Sequence, residues 1–260
     1  MEGYTNVFKN SFLNFNEYIK NNDLLALLQN FRICRQIYGF IDNGDNEPDK
    51  EAIEIAQKIN SNLYNTYYEN CYNKKILGYG NYTPVNGKFN NLDSRHIMMS
   101  IILFENIKED INDILEIGGG FGGWLRLNNN IQNFNKWHIV DLPHLNILQE
   151  WYLTENNIPL TKYKLYKNTD YNELLDINYE LVIGAHSLSE FSIEIFTEYY
   201  NKLIKKAKYL FYAYHKYLPS IELINTKLNI INNDFILITN VNSENDKVNN
   251  CLYINKSFMK

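Results

Sequence analysis

Residues 114–123, Ile-Leu-Glu-Ile-Gly-Gly-Gly-Phe-Gly-Gly, join an apolar strand that ends in an acid to a glycine turn, in the form Glu-x-Gly-x-Gly-x-Gly. In an open α/β sheet, ligands bind just beyond the carboxyl ends of the strands, and a turn without Cβ atoms lets backbone approach a ligand closely. A chain carrying this run is expected to form a mostly parallel sheet with a nucleotide-type cofactor at its edge. The bland alternative is a glycine turn that only packs a helix on the sheet.

The same letters fit Gly-x-Gly-x-x-Gly through Gly118, Gly120 and Gly123, the dinucleotide fingerprint. Three features favour S-adenosylmethionine instead. Glu116 lies two residues before the first glycine, where a carboxylate can reach round the turn. The next strand, Trp137 to Val140, runs into Asp141, an acid placed to grip two ribose hydroxyls. A long segment also precedes the motif, whereas a dinucleotide unit commonly starts close to its glycines. Glu116 and the glycines should face the methionine end of the cofactor, unless Glu116 caps the turn amides. Asp141 should hold the ribose, unless it stabilises the helix start that Pro143 signals.

Together, Ile114 to Leu125, Ile139 to Pro143, Leu148-Gln149 to Tyr152-Leu153 and His186-Ser187-Leu188-Ser189-Glu190-Phe191 resemble the sugar O-methyltransferases of bacterial surface-polysaccharide clusters. The resemblance covers roughly the middle third of the chain. It implies a Rossmann-like, seven-stranded class I methyltransferase sheet, S-adenosylmethionine as methyl donor, and an oxygen of a sugar or nucleotide-linked glycan precursor as acceptor. Analogy and composition narrow the acceptor further, to a capsular phosphoramidate precursor. Two other readings stay open: an NAD-dependent oxidoreductase of a sugar pathway, and a non-catalytic cofactor-binding partner of another methyltransferase.

The expected cofactor set is Glu116, Gly118, Gly119, Gly120, Asp141 and Leu142, with Asn168 or Asp170 after the third strand against adenine. A turn-forming role serves either of the last two equally well. His186 ends the fourth strand, where a base could take the proton of an acceptor hydroxyl during in-line methyl transfer. Glu190 and His215, the latter at the end of the fifth strand, are the other base candidates. Ser187-x-x-Glu190 has capping-box spacing, a structural alternative for both residues. His138 and His144 read as structural. Asp93, Arg95 and His96 are the polar residues to watch ahead of the first strand.

Alternation of strands and helices runs from residue 113 onward: Asp113–Ile117, Trp137–Val140, Tyr163–Tyr166, Glu180–Ile183 and Tyr209–Ala213, then a closing antiparallel pair, Phe235–Val241 and Cys251–Asn255, around a polar loop at 242–250. Before residue 111 the chain reads as helix. Asp23 could cap the stretch Leu24 to Leu28, and Ile53, Ala56, Ile59 and Leu63 recur at helical spacing. Residues 39–48 and 78–91 read as loops, and a helical pattern resumes over 93–104. Residues 1–90 are expected to form a helical cap or lid, packed on the 91–260 cofactor domain or on a second subunit as a homodimer.

At 260 residues the chain suits one large α/β domain with added helices, and its net charge of −5 gives no pull toward nucleic acid or anionic membrane. The cysteines, Cys34, Cys71 and Cys251, are odd in number and without ligand spacing, so neither disulfide nor metal is expected. No basic segment followed by an apolar stretch opens the chain, which points to a cytoplasmic protein. Heavy use of Tyr (21), Phe (14), Asn, Ile and Lys reads as coding bias, so single tyrosines carry little functional weight.

Overall fold

A computed structural model describes residues 21, 49–72, 91–216, 220–244 and 247–259. The expected helix at 24–28 with its cap Asp23, both expected loops (apart from Asn91) and the boundary at residue 90 lie outside these residues.

Among the described residues, α1 (Lys50–Tyr72) and α2 (Asn91–Asn106) precede the sheet. Asp49 caps α1 by accepting the Ala52 amide at 3.0 Å. The helix breaks at Asn60 (φ −154°, ψ 99°), whose side chain restarts it by accepting the Leu63 amide and donates to Glu105 of α2 at 2.7 Å. One side chain thus bends α1 and anchors it to α2.

Strands β1 (Asp113–Ile117), β2 (Lys136–Asp141), β3 (Tyr163–Lys167), β4 (Leu181–Ala185) and β5 (Tyr209–His215) pair in parallel, and β7 (Val248–Asn255) inserts antiparallel between β5 and β6 (Phe235–Ser243). The order is β3-β2-β1-β4-β5-β7-β6. Between the strands lie α3 (Gly123–Asn128), α4 (Pro143–Glu155), α5 (Ser187–Glu190), α6 (Ile193–Lys202) and α7 (Ile221–Asp234). Central strands covered on both faces need apolar side chains in both directions, hence Leu-Val-Ile in β4 and the unbroken burial of β5 up to Tyr214. Ile114 points into a core shared with α1 to α4, and Leu115 and Ile117 into a second core under α6 and α7. Ala52, Ala56, Tyr64 and Tyr67 of α1 belong to the first of these cores.

The closing pair departs from the expected boundaries. Both strands extend to Ser243 and Val248, so residues 242–243 and 248–250 of the expected 242–250 loop belong to the ladder. Asn249 and Asn250 pair with Tyr214 and Ala213, and Asn250 Nδ2 donates to the Val241 carbonyl at 3.1 Å. Asparagine is a poor strand former, but a ladder partner on each side overrides that preference. The strand order reverses at β1, which puts the carboxyl ends of β1 and β4 side by side at the topological switch point.

Candidate cofactor and methyl-transfer site

The glycine run leaves β1 at this switch point in left-handed backbone, with φ of +78° at Gly118, +58° at Gly120 and +89° at Gly122. The glycines serve different ends. A Cβ on Gly118 would collide with Ser187, whose Oγ would lie 2.8 Å away, and one on Gly119 would lie 2.7 Å from Ile139 Cγ2. A Cβ on Gly120 would meet nothing within 4 Å. Gly118 and Gly119 are glycine because protein packs against them. Gly120 faces open space, the close-approach surface a ligand can use.

Glu116 shares its face of the sheet with Ile114 and is 4% exposed. It accepts from Trp137 Nε1 at 2.8 Å rather than capping amides of the turn. Burial pushes its carboxyl up to about 8, with the Trp137 bond opposing and Asp141 reinforcing. No Lys or Arg pairs with it among the described residues. A buried acid lacking a counter-charge at a ligand edge suits a cationic ligand group.

Asp141 ends β2 as expected, with a role that sequence reasoning missed. Its Oδ2 accepts the Gly120 amide at 3.1 Å and Gln149 Nε2 at 3.0 Å, and its Oδ1 accepts the Leu142 amide at 2.8 Å. Burial raises it to about 7 against those hydrogen bonds. It does not cap α4, whose N-cap is Leu142 without a side-chain bond and whose first residue is Pro143. The Gly119 amide also acts on this carboxylate, so the turn, Leu142 and Gln149 together hold it in place at the sheet edge.

Gln149, on the buried face of α4, also donates to the Gly120 carbonyl at 2.8 Å and accepts from Asn146 at 2.9 Å. Asn146 Oδ1 is buried without a partner. Two buried amides, Asn146 and Gln149, on the mostly apolar inner face of the helix that follows Asp141 were the available signal. Asn168 lies beside this network, because its amide donates to the Asp141 carbonyl at 2.8 Å, whereas Asp170 is exposed at the start of a 3-10 turn.

His186 follows β4 with φ +67° and ψ −44°, a sparsely populated conformation costing of order 1–3 kcal/mol. Its amide donates to the Ala213 carbonyl at 2.9 Å, and its own carbonyl accepts the Ser189 amide at 2.9 Å and Ser189 Oγ at 2.5 Å. Its ring stacks on His215 at 4.8 Å, as two adjacent parallel strands deliver one histidine each. Its Nδ1 is buried without a partner. Burial, then the charges of His215, Arg95 and His96, lower His186 to about 3, so its imidazole is neutral at any physiological pH.

The Ser187-x-x-Glu190 capping box does not form. Ser187 stands inside α5 and gives its hydroxyl to the Ile117 carbonyl, tying this loop to the glycine turn, while Ser192 caps the next helix. Glu190 is an exposed residue, yet desolvation pushes its carboxyl up to about 7 against the attraction of Lys227.

Arg95 and His96 enter from α2. Arg95 Nε pairs with Asp49 at 3.0 Å, and His96 stacks flat on Trp124 at 5.9 Å with its Nδ1 buried and unpartnered. Burial and the two neighbouring arginines hold His96 at about 3. His138 is structural, bridging Asp113 and Tyr166 at 3.1 Å each. Burial lowers His144 to about 4. The Asp93 side chain lies outside the described residues, as do those of Cys34 and Cys71, and Cys251 is a buried free thiol. Among the described residues, no group of three or more His, Cys, Asp or Glu could hold a metal ion, and no helix is long and apolar enough to cross a membrane.

By sequence, no protein-family model and no curated protein matches the chain. Solved structures do. PH1948 of Pyrococcus horikoshii, a candidate RNA methyltransferase, aligns with TM-score 0.51 at 11% identity over 80% of this chain and 99% of its own. PH0226 of Pyrococcus horikoshii OT3 aligns with TM-score 0.50 at 14% identity over 67% and 95%. The fold is the Rossmann-like methyltransferase fold. The N-methyltransferase NodS of Bradyrhizobium japonicum WM9, in its complex with S-adenosyl-l-homocysteine, aligns less well, with TM-score 0.49 at 11% identity over 75% and 99%. The methyltransferase sheet places its glycine turn, Asp141 and the His186–His215 pair along one edge.

Proposed function

We propose that the chain is an S-adenosylmethionine-dependent methyltransferase that acts on an oxygen of a sugar or nucleotide-linked precursor of a bacterial surface glycan. The observation that carries this reading is the open, left-handed Gly120 between two buried carboxyls, Glu116 and Asp141, that lack a basic partner among the described residues. The donor, when bound, supplies an electrophilic methyl group and a cationic methionine end. Glu116 is the acceptor for that cationic end, and Gly120 leaves room for its chain. Asp141, held by Gln149 and the turn amides, is the acid that meets a ribose hydroxyl, and Asn168 stands next to it for the base.

On the acceptor side, the neutral His186 imidazole can accept a hydrogen bond from a hydroxyl and take its proton as a bond to oxygen forms, with His215 fixing the ring from one side. A sugar or capsule-precursor acceptor is supported by the likeness of the His186–Phe191 run to glycan O-methyltransferases, and a phosphoramidate precursor remains its narrowest form. Two measurements test the proposal. Calorimetry should show S-adenosylhomocysteine bound near micromolar, about −8 kcal/mol, in preference to NADH. Label from the methyl group of S-adenosylmethionine should then pass to at least one of a panel of nucleotide-linked sugars. Preference for NADH overturns the cofactor, and failure to label any sugar while the cofactor binds overturns the acceptor.

A further inference from the structure

Lys227 sits on the buried stripe of α7 between Ile224 and Ile231 and is 0% exposed. A lysine in an apolar stripe is costly unless its donors are met. All three are: the ammonium donates to the carbonyl oxygens of Leu188 at 3.0 Å, Ser189 at 2.8 Å and Phe191 at 2.5 Å. It also stands 5.5 Å from the centre of the Phe196 ring.

Those carbonyls terminate the single turn of α5, where unpaired carbonyls would otherwise face the core. The other end of the same turn is held by the Ala213 carbonyl at the His186 amide and by the Ile117 carbonyl at Ser187 Oγ. The segment is therefore fastened in front to β1 and β5 and behind to α7. With the rear fastening removed, only the front fastening opposes relaxation of the unfavourable His186 backbone.

We infer that Lys227 is a positioning residue, clasping the loop after β4 from behind so that His186 keeps its stack on His215 and Ser187 its contact with the glycine turn. Its role in methyl transfer rests on the reading of this edge proposed above, whereas the clasp itself rests on the hydrogen bonds alone. A residue that only filled the core would be replaceable by methionine without effect on the ring pair.

The test uses the full chain with isotopically labelled histidine, its five ring signals assigned by single substitutions. In Lys227→Met the His186 and His215 signals should move by more than a line width, with those of His138 and His144 unchanged. Ile224→Ala, a cavity on the same stripe, should lower the melting temperature without moving the pair. Unmoved His186 and His215 signals in folded Lys227→Met, or equal movement in Ile224→Ala, overturn the inference. Should Lys227→Met fail to fold, hydrogen exchange on the wild-type chain decides: the Ser189 amide should exchange as slowly as the β4 amides, and exchange at exposed-loop rates overturns the clasp. Calorimetry with S-adenosylhomocysteine on the same samples keeps the two readings apart, because an intact clasp with no binding removes only the proposed function.

Discussion

Alanine at Gly118 and at Gly120 should separate the structural from the ligand-facing part of the turn. Both positions have positive φ, where an L-residue costs roughly 1–2 kcal/mol. At Gly118 the new methyl also meets Ser187, whose Oγ would be 2.8 Å away, and overpacking of this kind adds about 1–3 kcal/mol. The Gly118→Ala total is about 2–5 kcal/mol, or roughly 4–20 °C in melting temperature for a chain of this size. Gly120→Ala meets no neighbouring atom, so only the backbone cost applies, about 2–8 °C. Its methyl enters the space a cofactor would use, and the affinity for S-adenosylhomocysteine should fall at least about tenfold, or 1.4 kcal/mol. Thermal unfolding and calorimetry on the two variants give both quantities. Wild-type affinity in folded Gly120→Ala would refute the claim that this glycine is a ligand surface.

Asp141→Ala should weaken S-adenosylhomocysteine binding by about 1.5–3 kcal/mol by calorimetry, the scale of hydrogen bonds to a charged group. His186→Ala should lower turnover by about 10²–10⁴ in a methyl-transfer assay with cofactor affinity nearly intact, and the loss should shrink at high pH. Because His186 is held at about 3 and Glu190 at about 7, any inflection near neutrality should survive in His186→Ala and vanish in Glu190→Gln. Glu116 and Asp141 are raised in the folded state to about 8 and about 7, so the native chain binds more protons than the unfolded one between about pH 4 and 8. Stability should therefore be greatest below pH 4 as far as these groups are concerned and decline as pH rises to 8; Glu116→Gln should flatten that decline in thermal unfolding, and coincident curves would count against it.

The glycine run and the alternation of apolar strands made the sheet and the turn at its carboxyl edge legible, because both are local: a burial pattern along one strand, and backbone that only glycine tolerates. Boundaries at the closing pair were not legible, since Asn249 and Asn250 are strand only by virtue of partners some 35 and more residues away in β5. The division of labour among the glycines was equally hidden. Whether a missing Cβ makes room for Ser187 or for a ligand depends on a loop nearly 70 residues later, and the spacing is silent on it. Gln149 and Lys227 carried a readable signal, a polar residue on a buried stripe, but what each one fastens emerges only in three dimensions. Ser187-x-x-Glu190 misled for the opposite reason, as a tertiary partner, the Ile117 carbonyl, takes the hydroxyl that a capping box would turn toward a local amide.

The position of β7 bears on how the chain is made. The strand lies inside the sheet although it follows every other strand in sequence, so β5 and β6 have no partner between them until residues 248–255 have left the ribosome. Up to that moment Phe211 and Tyr212 of β5, each fully buried in the finished protein, sit on an open strand edge, the kind of surface that pairs with other chains. Closure of the sheet thus waits on β7, and a chaperone acting during synthesis would have this edge to shield.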